Sequence, residues 1–354
     1  LCNGLALSVA IDLGGNDAYA LASPEPTVAQ GAGSMGGVGL LLDYGGDDRY
    51  TAHMHRANKP PAQAYVDGGM QAFGQAGVGI LLDAAGRDVY TANVSTSRYS
   101  IWSFAQGYGG LGGVGVLADA SGDDAYLAHG LPSTLRLGEF QGVYTNGVGF
   151  YAGVGLQVDA GRTDDRYYAW DEATSTDYYA QGFGAFGGLG VLLEDGGDDD
   201  YTAGEAIVNN PTGNGIIVPL LNCAFGTGSF AGVGVFLELS GNDTYYGATF
   251  SPRAAYTMNE GFGGPGIAYG VFVDVSGDDG HFMEAHGSAG SATFGRGVIL
   301  LGGNVFLGTG GNMFGTYLDA GGNDRYTGAP PSRDGATWQG GADVNLVPTG
   351  LLER

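Results

Sequence analysis

Eighteen acidic residues stand in nine pairs along this chain, and paired carboxylates are suited to binding a hard cation or sharing a proton. The pairs are Asp12 with Asp17, Asp43 with Asp48, Asp83 with Asp88, Asp119 with Asp124 and Asp159 with Asp165. They continue as Glu194 with Asp199, Glu238 with Asp243, Asp274 with Asp279 and Asp319 with Asp324. The partners are five residues apart, except in the fifth pair, where one residue is inserted. A third polar residue often precedes the second acid: Asn16, Asp47, Asp123, Asp198, Asn242, Asp278 or Asn323. Carboxylates stacked ~4.8 Å apart repel by ~0.9 kcal/mol in bulk water and several-fold more at an effective dielectric of ~20. Ca²⁺ accepts six to eight oxygens from carboxylates, amides and backbone carbonyls in flexible geometry. All eighteen acids are therefore candidate ligands of several Ca²⁺ ions. The competing reading is turn chemistry alone, in which Asp and Asn cap their own backbone.

Each pair sits in a repeated frame. The first acid closes a short apolar run, as at 40–42, 80–82, 191–193, 235–237 and 271–273, and a Gly-containing turn follows. The chain then resumes at a tyrosine: Tyr19, Tyr50, Tyr90, Tyr126, Tyr167, Tyr201, Tyr245 and Tyr326, with His281 in the eighth copy. Short apolar runs bounded by Gly, Asp and Asn read as β-strands. The acidic turns span 12–19, 43–50, 83–90, 119–126, 159–167, 194–201, 238–245, 274–281 and 319–326, with 329–354 as a partial terminal repeat. Their spacing of 31 to 45 residues marks a repeat architecture. The expected fold is all-β: one repeat domain over 1–354, a parallel β-solenoid or β-helix of nine Gly/Asp copies. A β-propeller is the alternative, although nine copies exceed its usual four to eight blades. In a solenoid the tyrosines stack as a packing ladder; the lesser reading is a sugar-binding platform.

Composition narrows the function. With 71 glycines the chain far exceeds the usual share of roughly 7%, and the glycines recur at fixed offsets. A net charge of −24, with Lys59 the single lysine, disfavours nucleic acid and anionic membranes and favours cations. A hydrophobic share of 44% excludes a disordered acidic chain. No apolar run reaches the length of a membrane span. Cys2 and Cys223 allow one disulfide at most. The start at Leu1, without Met or a signal-like segment, suggests a processed form. The long inserts 53–67, 131–142, 205–222 and 285–305 are expected to be surface loops.

Three turns resemble a known family. Residues 15–19 (Gly-Asn-Asp-Ala-Tyr), 241–247 and 322–328 are similar to the second half of the RTX nonapeptide, whose Gly- and Asp-rich turns bind Ca²⁺ outside the cell in a parallel β-roll. The shared part is the half-motif Gly-Asn/Asp-Asp-x-Tyr, on a longer period of about 38 residues. The resemblance implies an extracellular calcium-binding solenoid.

Other chemistry is poorly represented. Gly107, Gly109 and Gly112 match a dinucleotide fingerprint, but a strand follows where that site needs a helix. His53 and His55 form a weak transition-metal candidate, and His281, His286 and His129 are scattered singly. Paired carboxylates suit glycoside cleavage, yet nine near-equal pairs argue for structure. Asn93 and Asn242 head glycosylation sequons. The half-repeats at the two ends would together complete one more copy, which suggests head-to-tail association or ring closure. The expected protein is not an enzyme. It is a secreted, calcium-stabilised structural subunit that polymerises with itself into a filament or surface layer, with no nucleic acid, no membrane span and possible glycan contacts. The alternative is a polysaccharide-binding or polysaccharide-degrading β-helix or adhesin, with 167–172 as its densest aromatic and acidic cluster.

Overall fold

The computed structural model describes residues 6–23, 28–55, 69–95, 101–130, 141–171, 176–205, 221–249, 256–258, 268–285, 290–292, 313–319, 322 and 324–328. The segment 329–354, most of the long inserts, Cys2 and the side chains of Cys223, His53, His55 and Asn93 lie outside the described residues. These residues form strands and turns, and among them no helix is long and apolar enough to cross a membrane.

The fold is a parallel β-solenoid. The described strands make four sheets of nine, nine, eight and six strands, and in each the strands follow chain order. Every pairing is parallel between successive copies, as in Asp119 opposite Asp159 and Tyr126 opposite Tyr167. Among the described residues no sheet closes on itself, so the propeller alternative does not apply. One complete rung shows the plan. Ile101–Phe104 enters, Gly109–Gly110 crosses the narrow side, Val114–Asp119 runs to the acidic corner, and Ala125–Gly130 leaves it.

Side-chain parity decides what lies inside. In Val114–Asp119, Gly115, Leu117 and Asp119 point inward, while Val114, Val116 and Ala118 point outward. The same alternation recurs in Val38–Asp43, Val154–Asp159, Leu189–Glu194 and Val233–Glu238. The inward residue two before the acid stacks into the core as Leu41, Leu81, Leu117, Leu192, Phe236 and Phe272. Glycine is required where rungs approach most closely. A Cβ on Gly115 would lie 2.0 Å from the Tyr108 carbonyl oxygen, and one on Gly122 (φ 154°) only 1.5 Å from that of Gly86.

The tyrosine ladder lies inside. Tyr19, Tyr50, Tyr90, Tyr126, Tyr167, Tyr201 and Tyr245 stack with centroids 4.7 to 5.1 Å apart and planes within 11° of parallel. All but Tyr19 are fully buried. That location corrects the sugar-platform alternative, because buried rings present no face to a ligand. Tyr167 is likewise withdrawn from any surface cluster over 167–172.

Candidate metal column

The inward parity of the first sheet carries its terminal acids into the interior. Asp43, Asp83, Asp119, Asp159, Glu194, Glu238 and Asp274 are all buried. Each of the aspartates at 43, 83, 119 and 159 first does a turn residue's work, its Oδ1 accepting the backbone N–H two residues on at 3.1 to 3.3 Å. Oδ2 then accepts the tyrosine hydroxyl of the preceding rung. Tyr19 donates to Asp43 at 2.6 Å, Tyr50 to Asp83 at 2.6 Å, Tyr90 to Asp119 at 2.6 Å and Tyr126 to Asp159 at 2.8 Å. The pattern continues with Tyr167 to Glu194, Tyr201 to Glu238 at 2.6 Å and Tyr245 to Asp274 at 2.9 Å.

The second acids form a parallel column. Asp48, Asp88, Asp124, Asp165, Asp199, Asp243, Asp279 and Asp324 are buried too. Each accepts, through Oδ1, the backbone N–H of the second acid one rung earlier. The distances include 2.6 Å from Asp48 to Asp88, 2.6 Å from Asp88 to Asp124 and 2.7 Å from Asp243 to Asp279. The other oxygen is left over. Oδ2 of Asp48, Asp88, Asp124, Asp165 and Asp279 is buried with no hydrogen-bond partner.

Carboxylates that keep a donorless oxygen thus stand beside other carboxylates. Three groups, Asp43/Asp48/Asp83, Asp83/Asp88/Asp119 and Asp124/Asp159/Asp165, each bring one ligand atom per residue within 4.8 Å of the others. Oxygens bound to one Ca²⁺ at about 2.4 Å lie no more than about 4.8 Å apart, so each group is close enough to share an ion. A fourth group joins Asp274, Asp279 and His281. Glu194, Asp199, Glu238 and Asp243 are buried in the same columns outside these groups. Asp12 and Asp17 belong to the first rung and are only half-buried, and the side chain of Asp319 lies outside the described residues. The preceding polar residues face solvent as a separate ladder, in which Asn16 Oδ1 accepts from the Asp47 N–H at 3.1 Å and Asp198 Oδ1 from the Asn242 N–H at 2.9 Å.

Burial dominates the electrostatics. It raises Asp88 to about 8, Asp124, Asp165 and Asp243 to about 9, Asp199 to about 7 and Asp48 to about 6. Neighbouring acids push most of these further in the same direction. Desolvated charge of this kind has to be neutralised by a proton or a counter-ion. The ion pairs formed among the described residues, Arg87 with Asp123 and Arg162 with Asp195, are exposed and do not reach the columns.

Two functional features escape a reading by residue type. The tyrosines act through their hydroxyls as well as their rings, which hydrophobic patterning does not encode. His281 is not a scattered histidine but occupies the tyrosine ladder, stacked on Tyr245 at 4.8 Å; its alignment with the tyrosines was the available signal. No family model, curated protein or solved structure matches the chain.

Proposed function

We propose that this protein is an extracellular structural solenoid whose interior acid columns are neutralised by calcium and which associates with further copies of itself. The observation that carries the calcium reading is the run of buried Oδ2 atoms without donors, each beside other carboxylates. A hard divalent ion satisfies these oxygens without a hydrogen-bond donor, and carboxylate-rich extracellular modules bind calcium at 10⁻⁴ to 10⁻³ M. The RTX-like half-motif supports the same ion and the same compartment.

Self-association draws support from the outer face of the first sheet. Its outward positions are apolar from Leu7, Val9 and Ile11 through Leu40 and Leu42 to Val271 and Val273, with no charge among them. At the edge, Leu7 is 72% exposed and Ile11 59%. Eight strands spaced ~4.8 Å apart and five residues long make a flat face of roughly 600 Å². That approaches the ~800 Å² each partner gives to a stable interface. On a chain carrying −24 charges, an uncharged self-complementary face is where a second copy docks with least repulsion. The polysaccharide alternative has weaker support, since its aromatic ladder is internal.

Negative-stain microscopy and sedimentation of the full chain, in calcium and after chelation, test the proposal. Assemblies in calcium that Val191→Lys disperses, without loss of β circular dichroism, support it. Single particles in calcium at micromolar concentration overturn the assembly reading.

A further inference from the structure

The eighth rung differs chemically from the other described rungs of the columns. His281 is buried at the position that tyrosine holds elsewhere, paired in register with Tyr245 and Tyr326. It stacks on Tyr245 and meets the edge of Phe272 at 5.9 Å, so its ring plane is fixed by packing. A ring nitrogen of His281 and one oxygen each of Asp274 and Asp279 all lie within 4.8 Å of one another. Asp279 is 2% exposed, and its Oδ2 has no hydrogen-bond partner.

Both carboxylates are oriented from outside the group. The Tyr245 hydroxyl donates to Asp274 Oδ2 at 2.9 Å, and the Asp243 backbone N–H donates to Asp279 Oδ1 at 2.7 Å. Supporting hydrogen bonds of this kind hold ligands in place around a metal. We infer that Asp274, Asp279 and His281 form a distinct site for a first-row divalent transition ion of the zinc or iron class, bound by one imidazole nitrogen and two carboxylates. The donor set decides the class. Calcium prefers oxygen alone, whereas imidazole favours zinc, iron, nickel and copper. The all-carboxylate groups elsewhere in the columns offer no nitrogen. One chain therefore holds two kinds of site, several for a hard ion and one for a borderline ion.

The test is titration of the chelator-stripped full chain with Co²⁺ as a visible-absorption probe, for wild type and His281→Tyr. Tyrosine is the residue of the neighbouring rungs, so this variant restores the common pattern. Wild type is expected to bind one equivalent with d–d absorption, and the variant to lose at least about a hundredfold in Co²⁺ affinity, the upper end of what losing even a supporting group costs. Its calcium stoichiometry is expected to stay the same or rise. Equal Co²⁺ binding by both proteins would assign the ion to other histidines and overturn the site. No Co²⁺ binding would overturn it as well, leaving His281 as a buried cation paired with the two acids. Should the variant fail to fold, X-ray absorption of zinc-loaded wild type decides the matter, since a shell of oxygen alone contradicts the assignment. A chain that binds Co²⁺ through His281 but no calcium would retain this site and remove the calcium proposal, so the two fail separately.

Discussion

Asp124 shows how one side chain holds two roles. Its Oδ1 closes the rung by accepting the Asp88 N–H, its Oδ2 has no donor, and the carboxyl group stands beside those of Asp159 and Asp165. Asp124→Asn keeps the first role, because the amide oxygen replaces Oδ1. It changes the second, because an NH₂ group donates where a carboxylate oxygen does not. With chelator present at about pH 9, where the carboxylate ionises, D124N is expected to raise unfolding free energy by about 1–3 kcal/mol, the usual cost of a buried unsatisfied group. With calcium at neutral pH it is expected to bind one ion fewer per chain. Denaturant titration and calcium analysis of the same variant check both halves. A variant that binds as many ions as the wild type and gains no stability under chelation would mean that Asp124 matters only as a turn residue. The positions of these acids were legible from spacing alone, since the pairing register aligns Asp119, Asp159, Glu194 and Glu238 as the sequence does. Their inward direction was not. Leu40, Leu41 and Leu42 are apolar on both faces of their strand, so alternation gives no sign of which face is buried.

At the level of the strand and its turn, close stacking leaves little tolerance. Gly122→Ala places a methyl group against the Gly86 carbonyl in a backbone conformation that disfavours it. The expected loss is about 3 kcal/mol or more, as for other strained core substitutions, read from the shift in the unfolding midpoint. The acid columns set an unusual pH response. Folded-state values near 8 to 9 for Asp88, Asp124, Asp165 and Asp243 stand above the unfolded value of about 3.9. Between those limits the folded chain holds more protons than the unfolded one, so stability falls as pH rises. Chelated protein should be most stable near about pH 4 and weaken steadily towards about pH 9, the reverse of ordinary acid denaturation. Calcium should flatten that slope, because the ion then replaces the protons. Thermal melts across this range, with and without chelator, measure it. The eighth rung belongs to this scale as well. Spacing already puts His281 at the tyrosine position of the eighth copy; what spacing does not give is the nearness of its ring nitrogen to Asp274 and Asp279.

Across the described residues, four parallel sheets stack closely similar rungs, so most features of one rung become a column: apolar outside on the first sheet, aromatic and acidic within. Repetition is why the architecture was readable, and also why no single site stands out from spacing. It makes the solenoid a linear scaffold whose stability rises or falls with the charge state of its interior. The direct test is to dialyse the full chain against millimolar calcium at neutral pH, count the bound ions by elemental analysis and record the melting temperature before and after chelation. A calcium-filled interior gives several ions per chain, at least one for each of the three all-carboxylate groups, and a melting temperature that drops on chelation. No retained calcium, with an unchanged melting temperature, would contradict it and leave the columns neutralised by protons alone.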